Sequence, residues 1–195
     1  MKFKNQIQNV TTKVISNFWG KLEQVSFDFT FQNGKTERLK HEVYGKNDGV
    51  AVLLYNPSSN KVILSKQFRI PVYVAGVKNG FLIEVVGGAI DENESPEATV
   101  IRETKEEVGY RIVNPKRVGK VFLSPGLMKE QVHLYVAEYS EKDKIALGGG
   151  LASESEEIEV LEMDFWDALQ LIKSEEIIDA RTIMLLQYVQ INKLL

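Results

Sequence analysis

A short segment with well-marked helix ends and regularly spaced acidic residues restricts the fold of this chain most strongly. Ser95 suits the N-cap position of a helix and Pro96 its first position. Gly109 can take the left-handed conformation that ends a helix. The sequence therefore predicts a helix over residues 96–108. At about 100° per residue, three carboxylates share one face of it, those of Glu103, Glu106 and Glu107.

The opposite face of this helix, with Ala98, Ile101 and Val108, is predicted to pack on the rest of the chain. The acidic face is unusual, because residues 88–110 hold seven acidic and two basic side chains. Like charges four residues apart destabilise an isolated helix by about 0.2–0.5 kcal/mol per pair. Mg²⁺ would remove this repulsion, and it commonly shares oxygen ligands with substrate phosphates. A face that simply meets water is the plainer alternative.

Predicted strands surround this helix, which favours a mixed α/β fold around a central mixed sheet. The hydrophobic patterns predict strands at residues 25–31, 36–44, 50–56, 61–68, 81–86, 117–122, 131–138 and 158–163. Helices are predicted at 165–174 and 182–194, and loops at 72–80 and 144–157. Asn33-Gly34 predicts a hairpin. Residues 1–45 are therefore expected to form a β-stranded extension, and residues 46–195 the main domain.

Composition excludes several classes of protein. The 195 residues include no cysteine, which leaves no thiolate metal site and fits a cytoplasmic location. The net charge is −3 and no basic stripe is visible, so we expect no nucleic-acid partner. There is no run of eighteen apolar residues and no signal-peptide core, so we expect no membrane partner.

The spacing of residues 88–110 resembles the Nudix box, G-x5-E-x7-R-E-U-x-E-E-x-G-U, in which U is a bulky apolar residue. The one departure is Thr104 at the first U. The resemblance implies the Nudix α/β/α sandwich and a Mg²⁺-dependent hydrolase that cleaves a diphosphate bridge. The matching residues are Gly88, Glu94, Arg102, Glu103, Glu106, Glu107, Gly109 and Tyr110.

The resemblance also implies a role for each matching residue. Two or three Mg²⁺ ions, replaceable by Mn²⁺, would be bound by the catalytic glutamates Glu103, Glu106 and Glu107. The carbonyl group of Gly87 would complete the metal site and meet the substrate. Glu94 and Arg102 would brace the loop before the helix, and Gly88 and Gly109 would have structural roles.

A second acidic segment follows the box, at residues 154–157 of the predicted loop. Similar enzymes use a glutamate after the box as catalytic base, and Glu156 aligns best with it, also as a metal ligand. Glu154 is the next candidate. The three preceding glycines would suit a hinge if the loop closes over substrate. A flexible, solvated loop is the alternative.

Segments outside the box are similar to the ADP-ribose and nucleoside-diphosphate-sugar branch of the family, and within it to bacterial GDP-mannose pyrophosphatases. The stretch before the box lacks the proline usual in ADP-ribose enzymes. The segments that carry the likeness include Gln67-Phe68-Arg69, Ser124-Pro125-Gly126 and Gly148-Gly149-Gly150. The implied substrate-binding residues are Trp19, Lys40, His41, Glu42, Arg69, Gly87, Glu130 and Arg181.

For several of these residues a plainer role stays open. Arg69 could form a surface ion pair, Lys40 and Arg181 could be solvated, and Trp19 could be a core aromatic rather than a base-stacking one. The branch implies a homodimer in which the N-terminal strands pack on the partner. The expected reaction converts GDP-mannose to GMP and mannose 1-phosphate. The alternatives are hydrolysis of ADP-ribose to AMP and ribose 5-phosphate, or a Nudix-fold binding module without catalysis.

Overall fold

The computed structural model describes residues 6–195, so residues 1–5 of the expected extension lie outside the described part. The N-terminal segment forms an antiparallel sheet of three strands in the order β1-β2-β3. The strands are β1 (Ile7–Asn17), β2 (Lys21–Thr30) and β3 (Thr36–Gly45). Gly34, at a φ of 83°, lies in the turn that joins β2 to β3 and donates its N–H to the Phe31 carbonyl at 2.9 Å. The predicted hairpin is confirmed.

A later segment belongs to the same compact unit as this sheet. The unit comprises the residues up to Asn47 together with Phe122–Gln131. The N–H of Tyr44 donates to the Leu127 carbonyl at 2.9 Å, and the Lys129 ammonium donates to Glu23 at 2.9 Å. The unit therefore includes Glu130, which the sequence pattern did not connect to the N-terminal strands.

The second unit, Asp48–Val121 with Val132–Leu195, contains the large sheet. This sheet has seven strands in the order β10-β5-β4-β9-β8, with β6 beside β5 and β7 beside β4. Strands β4 and β9 run parallel, whereas β5 runs antiparallel to β4, β6 and β10, and β7 runs antiparallel to β4. The strands are β4 (Gly49–Asn56), β5 (Lys61–Phe68), β6 (Phe81–Glu84), β7 (Val86–Ala89), β8 (Lys116–Phe122), β9 (Gln131–Glu138) and β10 (Ile158–Asp164).

Helices cover both faces of this sheet, as the alternation along β4 shows. Ala51 and Leu53 pack in one apolar cluster with helices α3 (Phe165–Lys173) and α4 (Ala180–Ile191). The residues of β4 that alternate with these two, such as Val52, pack in a second apolar cluster with α2 (Pro96–Glu103). The predicted α/β/α sandwich with a mixed sheet is therefore confirmed. Across residues 6–195, no helix combines the length and apolar character needed to cross a bilayer.

The predicted helix over residues 96–108 is α-helical only as far as Glu103. Residues Thr104–Val108 form a π-helical turn, closed by the Gly109 N–H donating to the Thr104 carbonyl. The helix packs through the face that holds Val100, Glu103 and Glu107, all of which are buried. Ala98 and Ile101 are exposed, so their predicted packing was wrong, whereas Thr104 is fully buried. The Thr104 hydroxyl is satisfied by donating to the Val100 carbonyl at 2.7 Å.

Two other predictions also need correction. Residues 72–80 are not simply a loop, because α1 (Ile70–Val74) begins just before them and Lys78–Gly80 forms a 3-10 turn. Pro71 favours this helix start, since its ring pre-sets the backbone angle of a first turn. The single strand predicted at 81–86 is divided between β6, which pairs with β5, and β7, which pairs with β4.

Candidate active site

Two glycines of β7 lie directly against the acidic side chains of the box. A Cβ on Gly88 would collide with the carboxylate of Glu103. A Cβ on Gly87 would lie 2.5 Å from the Val50 carbonyl oxygen on the neighbouring strand β4. At Gly87 the clash is with backbone, so only glycine fits there, whereas a side chain at Gly88 would force the Glu103 carboxylate to move. The strand can therefore approach the helix closely enough to bring the Gly87 backbone beside the box carboxylates.

Glu107 is the most enclosed acid of the site, with 2% of the residue exposed. Its Oε2 accepts the N–H of Gly87 at 3.3 Å. Burial raises the pKa of Glu107 well above its ordinary value, and the negative charges of Glu103 and Glu156 raise it further. A carboxylate buried beside two others is costly unless a cation joins them.

Glu103 is also buried, and burial raises its pKa to about 7 against the attraction of Arg102. Arg102 holds two of the box acids at once. Its Nη1 donates to Glu103 Oε1 at 2.9 Å and to Glu106 Oε2 at 3.0 Å. This arginine therefore neutralises part of the acidic cluster in the protein without metal.

The same arginine joins the helix to the loop before it. Arg102 Nε donates to Glu94 Oε1 at 3.1 Å and its Nη2 to Glu94 Oε2 at 2.9 Å, a bidentate pair. The Thr99 hydroxyl also donates a hydrogen bond to Glu94 Oε2 at 2.8 Å. The bonds from Arg102 hold the pKa of Glu94 below its usual value. Glu94 and Arg102 thus have the geometry of a brace across the loop and the helix.

The residues present fit a hard divalent cation. Buried carboxylates are oxygen donors of the kind that Mg²⁺ prefers, and the Gly87 backbone, whose N–H bonds to Glu107, lies beside them. Among residues 6–195, no three acidic or histidine side chains are yet gathered closely enough to enclose an ion. The bonds of Arg102 explain this, because they turn Glu103 and Glu106 toward its guanidinium.

The loop after β9 is bonded to the backbone of the π-helical turn. Gly149 donates its N–H to the Glu107 carbonyl at 2.8 Å, and Gly150 donates to the Glu106 carbonyl at 3.2 Å. Gly148, Gly149 and Gly150 all have positive φ angles, of 74°, 114° and 79°. In this structure the glycines expected as hinge residues anchor the loop to the box.

The two candidate bases of this loop differ in their surroundings. Glu156 is half-buried and its Oε2 accepts the N–H of Leu151 at 3.2 Å. Its negative charge contributes to the raised pKa values of Glu103 and Glu107, after the larger effect of burial. Glu154 is exposed at the end of a short 3-10 turn, Ala152–Glu154. Of the two, Glu156 is the one that interacts with the box acids.

The remaining predicted residues of the N-terminal unit are mostly exposed. Trp19 is 70% exposed, with the Lys46 ammonium 5.7 Å from its ring centre, so it is not a core aromatic in this chain. Lys40, His41 and Glu42 are exposed on β3, and the His41 ring lies 5.5 Å from that of Phe27. Glu130 is half-buried in the segment Phe122–Gln131.

Comparison with known families gives this geometry its context. The model of the NUDIX domain matches residues 45–186, which is more than half of the chain and includes the whole acidic box. The chain belongs to the Nudix hydrolase family. A second family model, described as the N-terminal domain of GDP-mannose pyrophosphatase NudK, matches residues 6–44 of this Nudix protein.

Curated Nudix relatives match over nearly the whole chain. A GDP-mannose pyrophosphatase of Salmonella typhimurium is 38% identical over 186 residues, covering 95% of this chain and 96% of the relative. One of Escherichia coli O1:K1 is 38% identical over 190 residues, covering 97% and 98%. A solved structure described as an ADP compounds hydrolase has a TM-score of 0.70 at 23% identity, covering 94% of this chain and 91% of its own. That likeness shows the Nudix fold.

The structure also shows polar residues of this Nudix protein that the sequence pattern did not identify. Glu84 on β6 is 3% exposed and forms ion pairs with both Arg69 and Arg181. Asp179 pairs with Arg181. Arg181 is therefore not a solvated side chain. The available signal was an acid at position 84 between the apolar residues Ile83 and Val85 of a predicted strand.

Proposed function

We propose that this chain hydrolyses the diphosphate bridge of a nucleoside diphosphate sugar, with GDP-mannose converted to GMP and mannose 1-phosphate. The chemistry is supported by one observation above all, the buried pair Glu103 and Glu107 set against the two glycines of β7. The substrate is supported by relatives of nearly full length that are named GDP-mannose pyrophosphatase, and by the match of the N-terminal segment.

The proposed metal ligands are the carboxylates of Glu103, Glu106, Glu107 and Glu156 and the carbonyl of Gly87. When bound there, Mg²⁺ would neutralise diphosphate charge and make a water molecule more acidic. The number of ions and replacement by Mn²⁺ stay predictions, which metal titration would test.

The residues of the chain would then bind the substrate and move one proton. The guanidinium of Arg69 would bind the diphosphate oxygens, because its planar shape suits them. Glu156 would take a proton from the attacking water, with Glu154 as the second candidate. The water oxygen would form a bond to phosphorus while the bridging P–O bond breaks, and the leaving phosphate would keep the bridging oxygen. Glu156 is the better candidate because it interacts with the box acids.

The experiment compares substrates with the purified full-length protein and Mg²⁺. GDP-mannose, ADP-ribose and other nucleotide sugars would be supplied, and the released phosphomonoesters measured with a coupled phosphatase. We expect the highest kcat/KM with GDP-mannose. In H₂¹⁸O, the label should enter a phosphate group rather than the sugar carbon. A clear preference for ADP-ribose would support the alternative reaction, and no hydrolysis of any substrate would support a binding module.

We also propose a homodimer that uses the N-terminal sheet. Strand β1 exposes apolar side chains, with Ile7 and Val10 each 57% exposed and Val14 47%. Apolar surface of this kind is typical of an interaction site. Light scattering should give twice the chain mass, and a fully active monomer would contradict the proposal. We also propose a cytoplasmic location, which cell fractionation would test.

A further inference from the structure

Glu84 is the centre of an ion-pair network in the second unit. Its Oε2 accepts from Arg69 Nη2 at 2.7 Å and from Arg69 Nε at 3.1 Å. Its Oε1 lies 3.2 Å from Arg181 Nη2. With 3% of the residue exposed, this carboxylate is shielded from water. One buried acid therefore holds two guanidinium groups, that of Arg69 mainly through Oε2 and that of Arg181 through Oε1.

A second layer of bonds fixes the far side of this network. Arg181 Nε donates to Asp179 Oδ1 at 3.1 Å. Asp179 Oδ2 caps α4 by accepting the Thr182 N–H at 2.9 Å and its hydroxyl at 2.7 Å. The Thr182 hydroxyl oxygen in turn accepts the N–H of Val85 at 2.8 Å. The start of α4 is thereby tied to the residue next to Glu84, two positions before Gly87.

The network lies within electrostatic reach of the box. Burial is the main cause of the raised pKa of Glu107, and the positive charge of Arg69 partly opposes it. Burial tends to lower the pKa of Arg181. The negative charges of Asp179 and Glu84, with a smaller contribution from Glu107, outweigh it and raise the pKa overall. Both guanidinium groups are therefore close enough to the site to affect a charge bound there.

The bonding pattern leaves part of each guanidinium available. In the described part of the chain, the hydrogen bonds and ion pairs of Arg69 and Arg181 use only Nε and Nη2. The side chain of Arg69 is 37% exposed and that of Arg181 is 17% exposed, so Arg69 is the more open of the two to a ligand from solution. Without Glu84 the two arginines would repel each other, and Arg69 would lose the bonds that orient its Nε and Nη2, whereas Arg181 would keep its bond to Asp179.

We propose that Glu84 is a positioning residue that holds Arg69 and Arg181 as one two-arginine clamp for the diphosphate group of the substrate. This inference rests on the proposed function, because a nucleotide sugar presents that group. Glu84 does not itself touch the substrate. A guanidinium bound through Nε and Nη2 keeps its plane fixed, which reduces the entropy lost when it binds phosphate oxygens.

A Glu84→Gln variant separates positioning from simple charge. Its amide can accept from one arginine but presents a donor N–H₂ to the other. If the arginines act only as charges, removing a negative charge beside them should tighten anion binding. If Glu84 positions them, binding should weaken by about tenfold, the size expected for losing a charged hydrogen bond.

The probe is inorganic diphosphate, titrated calorimetrically into the full chain in EDTA. Glu159→Gln is the matched control, because Glu159 forms an exposed ion pair with Lys66 on neighbouring strands and should leave affinity unchanged. With Mg²⁺ and GDP-mannose, Glu84→Gln should raise KM about tenfold and change kcat less, which a merely structural defect would not do. Equal or tighter diphosphate binding in Glu84→Gln would overturn the proposal.

Arg69→Lys provides a second variant, which tests whether Arg69 depends on Glu84. It keeps the charge and loses the planar pair of donors, so diphosphate should bind about tenfold more weakly. Adding Glu84→Gln to it should cause little further loss, since the two residues act together. Fully additive losses would contradict the clamp.

If wild type hydrolyses no nucleotide sugar, the proposed function fails, while diphosphate binding still decides the role of Glu84.

Discussion

Two segments of the second unit supply the acids of the site, and they are held in different ways. In the box, side chains hold side chains, since Arg102 binds Glu94, Glu103 and Glu106 together. In the loop after β9, backbone holds backbone, since Gly149 and Gly150 donate to carbonyl groups of the π-helical turn. The box is therefore fixed by charge, and the loop by close approach of two chain segments.

This difference decides what each segment can tolerate. A network of charged side chains depends on residue identity. One substitution in it removes a proposed metal ligand and also leaves the opposite charge of a neighbouring side chain unbalanced. A backbone contact depends on shape, so it tolerates changes in side chains that point away and fails when a Cβ is added. Substitutions in the box should therefore have larger effects on the chemical step than substitutions in the loop.

The largest effect is expected from Glu107→Gln. The amide keeps the size of the side chain but is a poor metal ligand, and several kcal/mol of transition-state stabilisation would be lost. We expect kcat/KM for GDP-mannose to fall by about a thousandfold or more. Steady-state kinetics across a Mg²⁺ titration would measure it. Lys105→Gln, at an exposed position on the same turn, is the control, and near-normal activity of Glu107→Gln would refute the metal-site assignment.

A smaller loss is expected in the loop, from Glu156→Gln. Removal of a general base typically costs about 10²–10⁴ in rate. Glu154→Gln is the matched control, because Glu154 is exposed on the same loop. We expect kcat to fall about a hundredfold with Glu156→Gln and less than about twofold with Glu154→Gln. A larger loss of kcat with Glu154→Gln than with Glu156→Gln would identify Glu154 as the catalytic base.

The contrast between the two segments also explains what could be predicted from sequence. The spacing of Glu94, Arg102 and Glu106 reflects one charged network across the loop and the helix, and its match to the Nudix pattern was enough to identify the box. The exposure of Ile101 was not predicted, because the helix buries the face that carries Glu103 and Glu107, and a pattern of apolar residues does not indicate packing of acidic ones. The hydrophobic patterns predicted a mixed sheet but neither its strand order nor which residues of β4 meet each helix layer.

The sequence indicates the loop and the network around Glu84 less clearly than it indicates the box. Three consecutive glycines indicated an unusual backbone, but a hinge and an anchor need the same residues. Glu84 and Arg181 lie on β6 and α4, far apart in sequence, and meet only in the folded chain. A long-range ion pair of this kind has no local pattern. Their pairing therefore follows from the packing of α4 against β6 and not from any sequence motif.

The loop anchor itself is tested by Gly148→Ala. A Cβ there would lie 2.6 Å from the Glu107 carbonyl oxygen, at a φ of 74° that alanine rarely adopts. The loop should move away from the box, and we expect kcat to fall about tenfold because the glutamate it carries is misplaced. Metal affinity should change less than in Glu107→Gln.

The matched control for this substitution is Gly119→Ala on β8. A Cβ at Gly119 meets no heavy atom within 4 Å, and its backbone lies outside the left-handed region. This variant should keep wild-type kinetics. If Gly148→Ala also keeps them, the loop would have to be held by contacts other than its close approach to the Glu107 backbone.

The last prediction concerns stability instead of rate, and it separates the buried acids of the box from the more exposed loop. In metal-free protein, burial raises the pKa of Glu103 from 4.5 to about 7, so the folded state holds a proton that the unfolded state has released. Stability should therefore fall as pH rises through this window. Between pH 5.5 and 7.5 the loss should be about 2 kcal/mol from Glu103 alone. Urea unfolding in EDTA would measure it.

Two comparisons isolate this contribution. The pKa of His133 is lowered by burial, which gives a pH dependence of opposite sign, so the Glu103→Gln variant must be compared with wild type at each pH. The variant should lose the part of the decline that comes from Glu103, because glutamine does not titrate, whereas Glu107, whose pKa burial also raises, contributes a decline of the same sign that stays. Added Mg²⁺ should reverse the decline in wild type, since it binds the ionised carboxylates of the folded state. A decline that persists unchanged in Glu103→Gln would show that Glu103 is not the group responsible for it.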